Sequence, residues 1–494
     1  ALALAQPGFQ IWAAAGTYEP TAVPDRDATF QLKSGVAIYG GFPAAGNPTW
    51  EDRDWKINIT TLSGDIGTAG DSSDNSYHVV TGSEVDATAI LDGFTITGGN
   101  ADGDSPVRSG GGMYVDEGSP TLTNITFSSN YANSVGGGLY NWAGSPILKD
   151  VTFSRNEAGY SGGGVGSYAD IDCTTGVCTI LGNITLERVT FFENKAGWGG
   201  GMDSLRGTDV LIDVSFIRNV ATKVGGGMYM DHFYDEDTAL YLTNVTFSEN
   251  EAKWGGGMAI EYNSSPTLTN VTFSGNKAIE GDDGEGGMEG GLGGGLINIG
   301  GEDIHGMDLI PTPILTNVTF FENTADNEGG GIYNFDGFYA GEEAFSSPTL
   351  TNCILWGNSP DQIGNDTDSS ATVTYSVIQA GYPDGTNIID ADPKLDPTLA
   401  DNGGFTQTHA LQTGSPAIDA ANPNVCPTTD QRGFPRPVDG DGNGTASCDI
   451  GAYEYINYGP VLFAKPGSSG DCSSWSNACD LSQALALAQP GFQI

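Results

Sequence analysis

The chain holds 494 residues, among them 74 glycines, 62 acidic and 18 basic side chains, for a formal charge of −44. Neutralising phosphates takes lysine and arginine, so this balance argues against a nucleic-acid partner. Hydrophobic residues at 38% and aromatics at 10% suffice for a packed core, and no apolar run reaches the ~18–20 residues of a membrane helix.

In chain order, residues 1–93 read as irregular early strands, including Phe9-Gln-Ile-Trp-Ala and Gly35-Val-Ala-Ile-Tyr-Gly-Gly-Phe42. Residues 94–358 carry a regular repeat. Phe-x-x-Asn recurs at Phe127/Asn130, Phe153/Asn156, Phe191/Asn194, Phe216/Asn219, Phe247/Asn250, Phe273/Asn276 and Phe320/Asn323, with a degenerate copy at Leu355/Asn358. The tightest spacings are 25 and 26 residues. An alanine follows each intact asparagine by two residues, and a glycine triplet comes next, as at 136–138 and 225–227, with an apolar residue such as Leu139 or Met228 directly behind it.

A period near 25 with β-branched and aromatic residues predicts one coil of a parallel β-helix, about three short strands and three turns per rung. In Leu122-Thr-Asn-Ile-Thr-Phe127, Ile125 and Phe127 share one face by the period of two. Stacked rungs then set Phe on Phe and Ala on Ala inside a tube. The recurring asparagine suits a turn, bonding to backbone of its own and adjacent rungs and tolerating a left-handed conformation, and the glycines suit positive φ. Insertions at 166–182, 231–238, 280–292 and 334–346 leave the tube as loops.

Residues 359–455 form an irregular close rich in Pro, Asp and Asn, with irregular final rungs. Residues 456–494 differ again. Their last stretch, Ala-Leu-Ala-Leu-Ala-Gln-Pro-Gly-Phe-Gln-Ile at 484–494, duplicates residues 1–11. The segment reads as the beginning of a further unit: a short strand at Val461-Leu-Phe-Ala464, then a helix that Asp480 or Ser482 caps and Pro490-Gly491 stops. On this reading the chain is one period of 483 residues in a tandem array or head-to-tail filament, with itself as partner.

Phe-x-x-Asn alternating with Gly-Gly-x-[Ile/Leu/Val] resembles the repeats of chlamydial polymorphic outer membrane proteins and related bacterial surface proteins with a right-handed, pectin-lyase-like β-helix. Here Met often stands where that family prefers Ile or Leu. The tail Asp430-Gln-Arg-Gly-Phe-Pro-Arg-Pro-Val-Asp-Gly-Asp441, with Asp449-Ile-Gly-Ala-Tyr-Glu454, resembles the end of bacterial surface proteins termed choice-of-anchor. The resemblance implies an all-β, right-handed parallel β-helix solenoid and a place at the cell surface; because the open ends of such a tube are exposed strand edges, the short helix is expected between units, either capping the edge or joining them.

Seven cysteines fall into three close pairs and one remainder. Cys173 with Cys178, Cys426 with Cys448 and Cys472 with Cys479 are disulfide candidates for an exported protein. Cys353 replaces the Val of a strand motif and should be a buried thiol. Asp439-Gly-Asp-Gly-Asn-Gly444 has the alternating oxygens of a calcium loop, so Asp439, Asp441, Asn443 and the later Asp449 are candidate ligands for calcium, the one cofactor anticipated. Sequons at Asn124, Asn183, Asn244, Asn270 and Asn317 mostly coincide with the strand motif, so structure accounts for them.

Catalysis of glycan cleavage needs clustered carboxylates, or calcium with a basic residue. His232, between Asp231 and the Asp235-Glu236-Asp237 run, is the conspicuous His/acid group, and it reads as a solvated loop. Trp142, Trp198 and Trp254 lie near glycine triplets and read as a partly buried aromatic stack rather than a sugar-binding stripe. No catalytic residue is assigned. The chain reads as a structural or adhesive extracellular protein that meets itself head to tail, with glycans or neighbouring cells as further partners. The alternative is a β-helix that binds or cleaves polysaccharide, which an aromatic, acidic groove along one face would favour.

Overall fold

The computed structural model describes residues 1–172, 179–232, 240–281, 290–302, 308–337, 345–457 and 462–487. One rung consists of a long strand, a two-residue strand and a third strand after the glycine triplet, as in Thr121–Ser128, Tyr131–Ala132 and Leu139–Trp142. Each pairs in parallel with its counterpart in the next rung. The strands thereby collect into three sheets of 16, 8 and 11 strands, which form the walls of a parallel β-helix. The described residues contain one α-helix, Leu481–Leu487.

Register along the tube is strict. Phe127, Phe153, Phe191, Phe216, Phe247, Phe273 and Phe320 pair in succession, and their rings stack with centroids 4.6–5.1 Å apart and planes within 9°. Isolated aromatic pairs favour offset or edge-on contacts, but the interstrand spacing of about 4.8 Å imposes face-to-face stacking here. Each ring is fully buried and contributes about 1.5–3 kcal/mol of burial.

Long strands depart from simple alternation at one place. Asn124, Asp150, Arg188, Asp213, Asn244, Asn270, Asn317 and Asn352 all hold φ between 53° and 57°. This kink resets the alternation, so Leu122 faces inward along with Ile125 and Phe127, three inward side chains on the strand. Kink residues couple across rungs, as where Arg188 grips Asp150 at 2.7 and 2.8 Å.

The Phe-x-x-Asn asparagines, Asn130, Asn156, Asn194, Asn219, Asn250, Asn276 and Asn323, form with Asn358 one buried column. Each Nδ2 donates to Oδ1 of the next at 2.8–3.0 Å, and the same Oδ1 accepts the preceding asparagine's backbone N–H. Nδ2 also donates to a phenylalanine carbonyl of an earlier rung: Asn156 to Phe127, Asn250 to Phe216 and Asn276 to Phe247.

This geometry corrects the expectation of a left-handed asparagine. Positive φ is held instead by the residue before it: Ser129 before Asn130, Arg155 before Asn156, Glu193 before Asn194, Arg218 before Asn219, Glu249 before Asn250, Gly275 before Asn276, Glu322 before Asn323 and Gly357 before Asn358, with φ from 52° to 72°. The reason is directional, since the amide must point inward to reach its neighbours, and the reversal of the chain falls on the exposed side of the turn. The partners also differ from a simple turn, because every amide bonds to the amide of the next rung as well as to backbone.

Only the first glycine of each triplet has positive φ, 57–73°. The others are required by space: a Cβ on Gly138 would meet Gly164 O at 2.6 Å and the Phe153 ring at 2.7 Å.

Final rungs extend through Thr372–Thr374 and Val377–Ile378. Beyond them the chain turns back along the outer face of the long-strand sheet. Gln431 donates to Thr246 and accepts from Thr272, and Asn317 donates to the carbonyls of Asp449 and Gly451. The Cys426–Cys448 disulfide and two fully buried ion pairs, Arg432–Asp430 at 2.6 Å and Arg436–Glu454 at 3.2 Å, hold this strap together. Cys472–Cys479 is also bonded, while Cys173 and Cys178 lie outside the described residues. Cys353 is a buried free thiol that burial pushes up to about 12.

Replacing Asn219 with Ala strips the acceptor from two buried donors of Asn194. We expect a loss of about 3 kcal/mol or more in chemical denaturation, against less than ~0.5 kcal/mol for the exposed Asn443→Ala.

Candidate functional site

The third sheet presents two outward columns. The residue two places after each glycine triplet faces out: Tyr114, Tyr140, Gly166, Asp203 and Tyr229 pair in sequence. The second column holds Asp116, Trp142, Tyr168, Leu205, Asp231 and Glu261. At Gly166 the first column has no side chain, since Val135 fills the space a Cβ would take, and Tyr168 leans from the second column toward the first. Its hydroxyl meets Ser161 Oγ and donates to Asp203 Oδ2, both at 2.8 Å.

This lean makes a continuous aromatic stripe. Ring centroids run 4.9 Å from His78 to Tyr114, 5.6 Å from Tyr114 to Tyr140 and 5.7 Å from Tyr140 to Tyr168. A cleft of about 330 Å³ opens over it, lined by these three tyrosines with Trp142, Tyr160 and Arg108. Tyr160 in turn packs on Trp198 at 4.5 Å.

An acidic run continues the stripe. Asp203 is 3% exposed. Burial raises its carboxyl to about 6, against the opposing hydrogen bonds of Ser161 and Tyr168. Asp231 is held well above the carboxylate range by burial first, then by the charges of Glu261 and Asp203. Glu261 accepts from the Tyr229 hydroxyl. Asp209, on the adjoining turn, is likewise raised to about 6 by burial, although it accepts from Ile184 N and Ser204 Oγ.

The three tryptophans do not form one stack. Trp198 and Trp254 share the column just before the triplets but have Val224 between them, and Trp254 is buried edge-on against Phe335 at 5.8 Å. Trp142 belongs to the cleft. Sequence reasoning passed over Tyr114, Tyr140, Tyr168, Asp203 and Arg108, although tyrosine stands two places after the triplet at 114, 140, 229 and 333. The His232 side chain and residues 235–237 lie outside the described residues.

The anticipated calcium ligands are split. Asp439 accepts from the N–H groups of Gly442 and Gly444, Asp441 from Asn443, and Asn443 from Thr445, all in an exposed turn. Asp449 is fully buried and turned away, accepting the N–H groups of Asp419 and Tyr455. Asp419 takes its place beside the turn: carboxylate oxygens of Asp419, Asp439 and Asp441 lie within 4.8 Å of one another. These oxygens suit a hard cation, which takes 6–8 of them, so these three residues could hold part of such a shell.

Residues 317–334, from a kink asparagine through Phe320, Asn323 and the triplet at 329–331, match the family model of the Chlamydia polymorphic membrane protein repeat. Search of the curated proteins finds no match. Among solved structures, the crystal structure of pectate lyase Pel9A aligns over 92% of this chain and 90% of its own at 13% identity, with a TM-score of 0.43. The one copy of the repeat at 317–334 is thus similar to the polymorphic-membrane-protein repeat, and the stacked parallel sheets define a β-helix. No described helix is long and apolar enough to cross a membrane.

Folded Asp203 keeps its proton to about pH 6, whereas an unfolded aspartate loses it near about 3.9. The folded state therefore binds more protons between those values, and stability from this group falls as pH rises through the window. Asp203→Asn should flatten the decline in Tm between about pH 4 and 6 relative to the parent.

Proposed function

We propose that this chain is an extracellular, cell-surface β-helix with an adhesive role, and that it adheres by holding a neutral glycan along the tyrosine stripe. The observation that carries this reading is the run Tyr114–Tyr140–Tyr168 beneath an open cleft, with centroids 5.6 and 5.7 Å apart, the first pair tilted by 41° and the second edge-on at 79°. Flat aromatic faces with polar edges suit sugar rings, which offer C–H groups on one face and hydroxyls around the rim. The spacing is comparable to one sugar unit of an extended chain. Arg108 and the Ser and Tyr hydroxyls supply the few polar groups that would orient it. A neutral ligand follows from charge: −44 over the chain repels a polyanion.

The reading is of binding without cleavage. Asp203 and Asp231 are buried beneath the surface of the strip, and Asp203 is occupied by the Tyr168 hydroxyl. Support for the surface location comes from the similarity of one repeat copy to the polymorphic-membrane-protein repeat and from a strap stapled by Cys426–Cys448, since disulfides persist in oxidising compartments.

Glycan-array screening followed by affinity electrophoresis tests this. The parent should retain a neutral polysaccharide, and Tyr140→Ala should weaken retention by roughly tenfold, while Tyr241→Ala on another face leaves it unchanged. Equal retention by Tyr140→Ala, or release of new reducing ends during incubation, would overturn the reading.

A further inference from the structure

The duplicated sequence occupies two different environments, and each copy buries the face that the other exposes. In the first copy, Leu2 packs on the main β-helix core and Ala5 is buried. Gly8 N donates to Gly35 O at 2.7 Å and Ala37 N to Phe9 O at 3.1 Å, so residues 1–9 close the mouth of the tube. Leu4, on the other side, is 82% exposed.

In the second copy the equivalent of Leu4 is Leu487, and it is covered. Leu487 packs with buried Ala484 against Leu462 and the Cys472–Cys479 disulfide. Asp480 caps this helix, accepting from Gln483 N at 3.0 Å. The equivalent of Leu2 is Leu485, which is 60% exposed, and Leu481 one turn earlier is 57% exposed. Positions 481 and 485 lie on one helix face, 484 and 487 on another. Neither copy is satisfied on both faces.

We infer that residues 462–487 are a joint: they seat on the mouth of a second copy of this unit, with Leu485 in the place Leu2 takes here and the disulfide loop covering the face that Leu4 leaves open. The partner is a β-helix mouth of the kind built by residues 12–42, because that is the surface on which the identical sequence of residues 1–11 sits here. An uncapped mouth would present unpaired strand edges, so the joint would both close one tube and align it with the last.

The test uses the full chain and a two-unit chain made by continuing from Ile494 directly into Trp12, which reproduces the seam without foreign residues. In the two-unit chain, amides 481–487 of the seam should exchange at least roughly tenfold more slowly than in the single unit, and X-ray scattering should give one straight rod. Leu485→Asp at the seam should lower Tm and loosen the rod, while the same change in the single unit leaves Tm unchanged because the side chain is exposed there. Leu487→Asp should weaken the disulfide-stapled segment in both. Independently moving units, unchanged exchange at the seam, or equal effects of Leu485→Asp in both chains would overturn the joint. Glycan retention is read separately on the single unit, so failure of the adhesive reading and failure of the joint are distinguishable.

Discussion

Registration of one rung on the next is the constraint on which this fold rests, and the buried asparagine column enforces it. A stack of apolar side chains alone tolerates slippage, since one phenylalanine packs against another at any rung. An amide column does not. Each Oδ1 takes two N–H donors from one neighbouring rung and each Nδ2 gives to the other, so any displacement orphans buried polar groups in a low-dielectric interior. The kink residues, all near φ 55°, add a second fiducial on the long strand. Between these two, the phenylalanines have no freedom to offset.

A strict register has consequences for the outer surface. Whatever stands two places after a glycine triplet is presented at the same height and direction in every rung, so a tyrosine there becomes a stripe rather than a scattered exposure. Insertions leave between rungs without disturbing the columns, which lets loops vary while the stripe persists. The two outer faces diverge accordingly. The long-strand sheet is covered in its later rungs by the strap, whose buried Arg432–Asp430 and Arg436–Glu454 pairs would be costly to break. The triplet sheet instead keeps an open aromatic cleft that grades into a buried acidic run.

That gradient has an electrostatic cause. Asp203, Asp231 and Glu261 share one desolvated strip, and burial, with the neighbouring charges at Asp231, raises the carboxyls of Asp203 and Asp231 above the ordinary range. The tyrosine hydroxyls of Tyr168 and Tyr229 donate to Asp203 and Glu261 within this strip, which offsets part of the cost of burial. The result is a wall of fixed polarity beside the tyrosines. At the ends of the tube a different demand operates, since a stack of strands must finish somewhere, and the alanine- and leucine-rich segment answers it by offering two apolar faces.

Inward columns were legible from sequence alone: the Phe, Asn, Ala and post-glycine apolar positions repeat every rung because the tube's interior is the same at every rung. The two bonded cysteine pairs were legible for a similar reason, since both partners lie close in sequence. The sequence did not reveal that the kink residue resets the alternation, that a residue such as Glu249 takes the left-handed conformation in place of Asn250, or that Asp419 rather than Asp449 joins Asp439 and Asp441. Each depends on φ values or on chain segments tens of residues apart meeting in space. The cleft shows the division best: Tyr114 and Tyr140 sit in a visible column, but Tyr168 belongs to the other column and joins them through its ring contact with Tyr140 and its hydroxyl bonds to Ser161 and Asp203. Periodicity determines what faces the core, because burial repeats; which exposed side chains converge is decided only by tertiary structure, because solvent imposes no period on them.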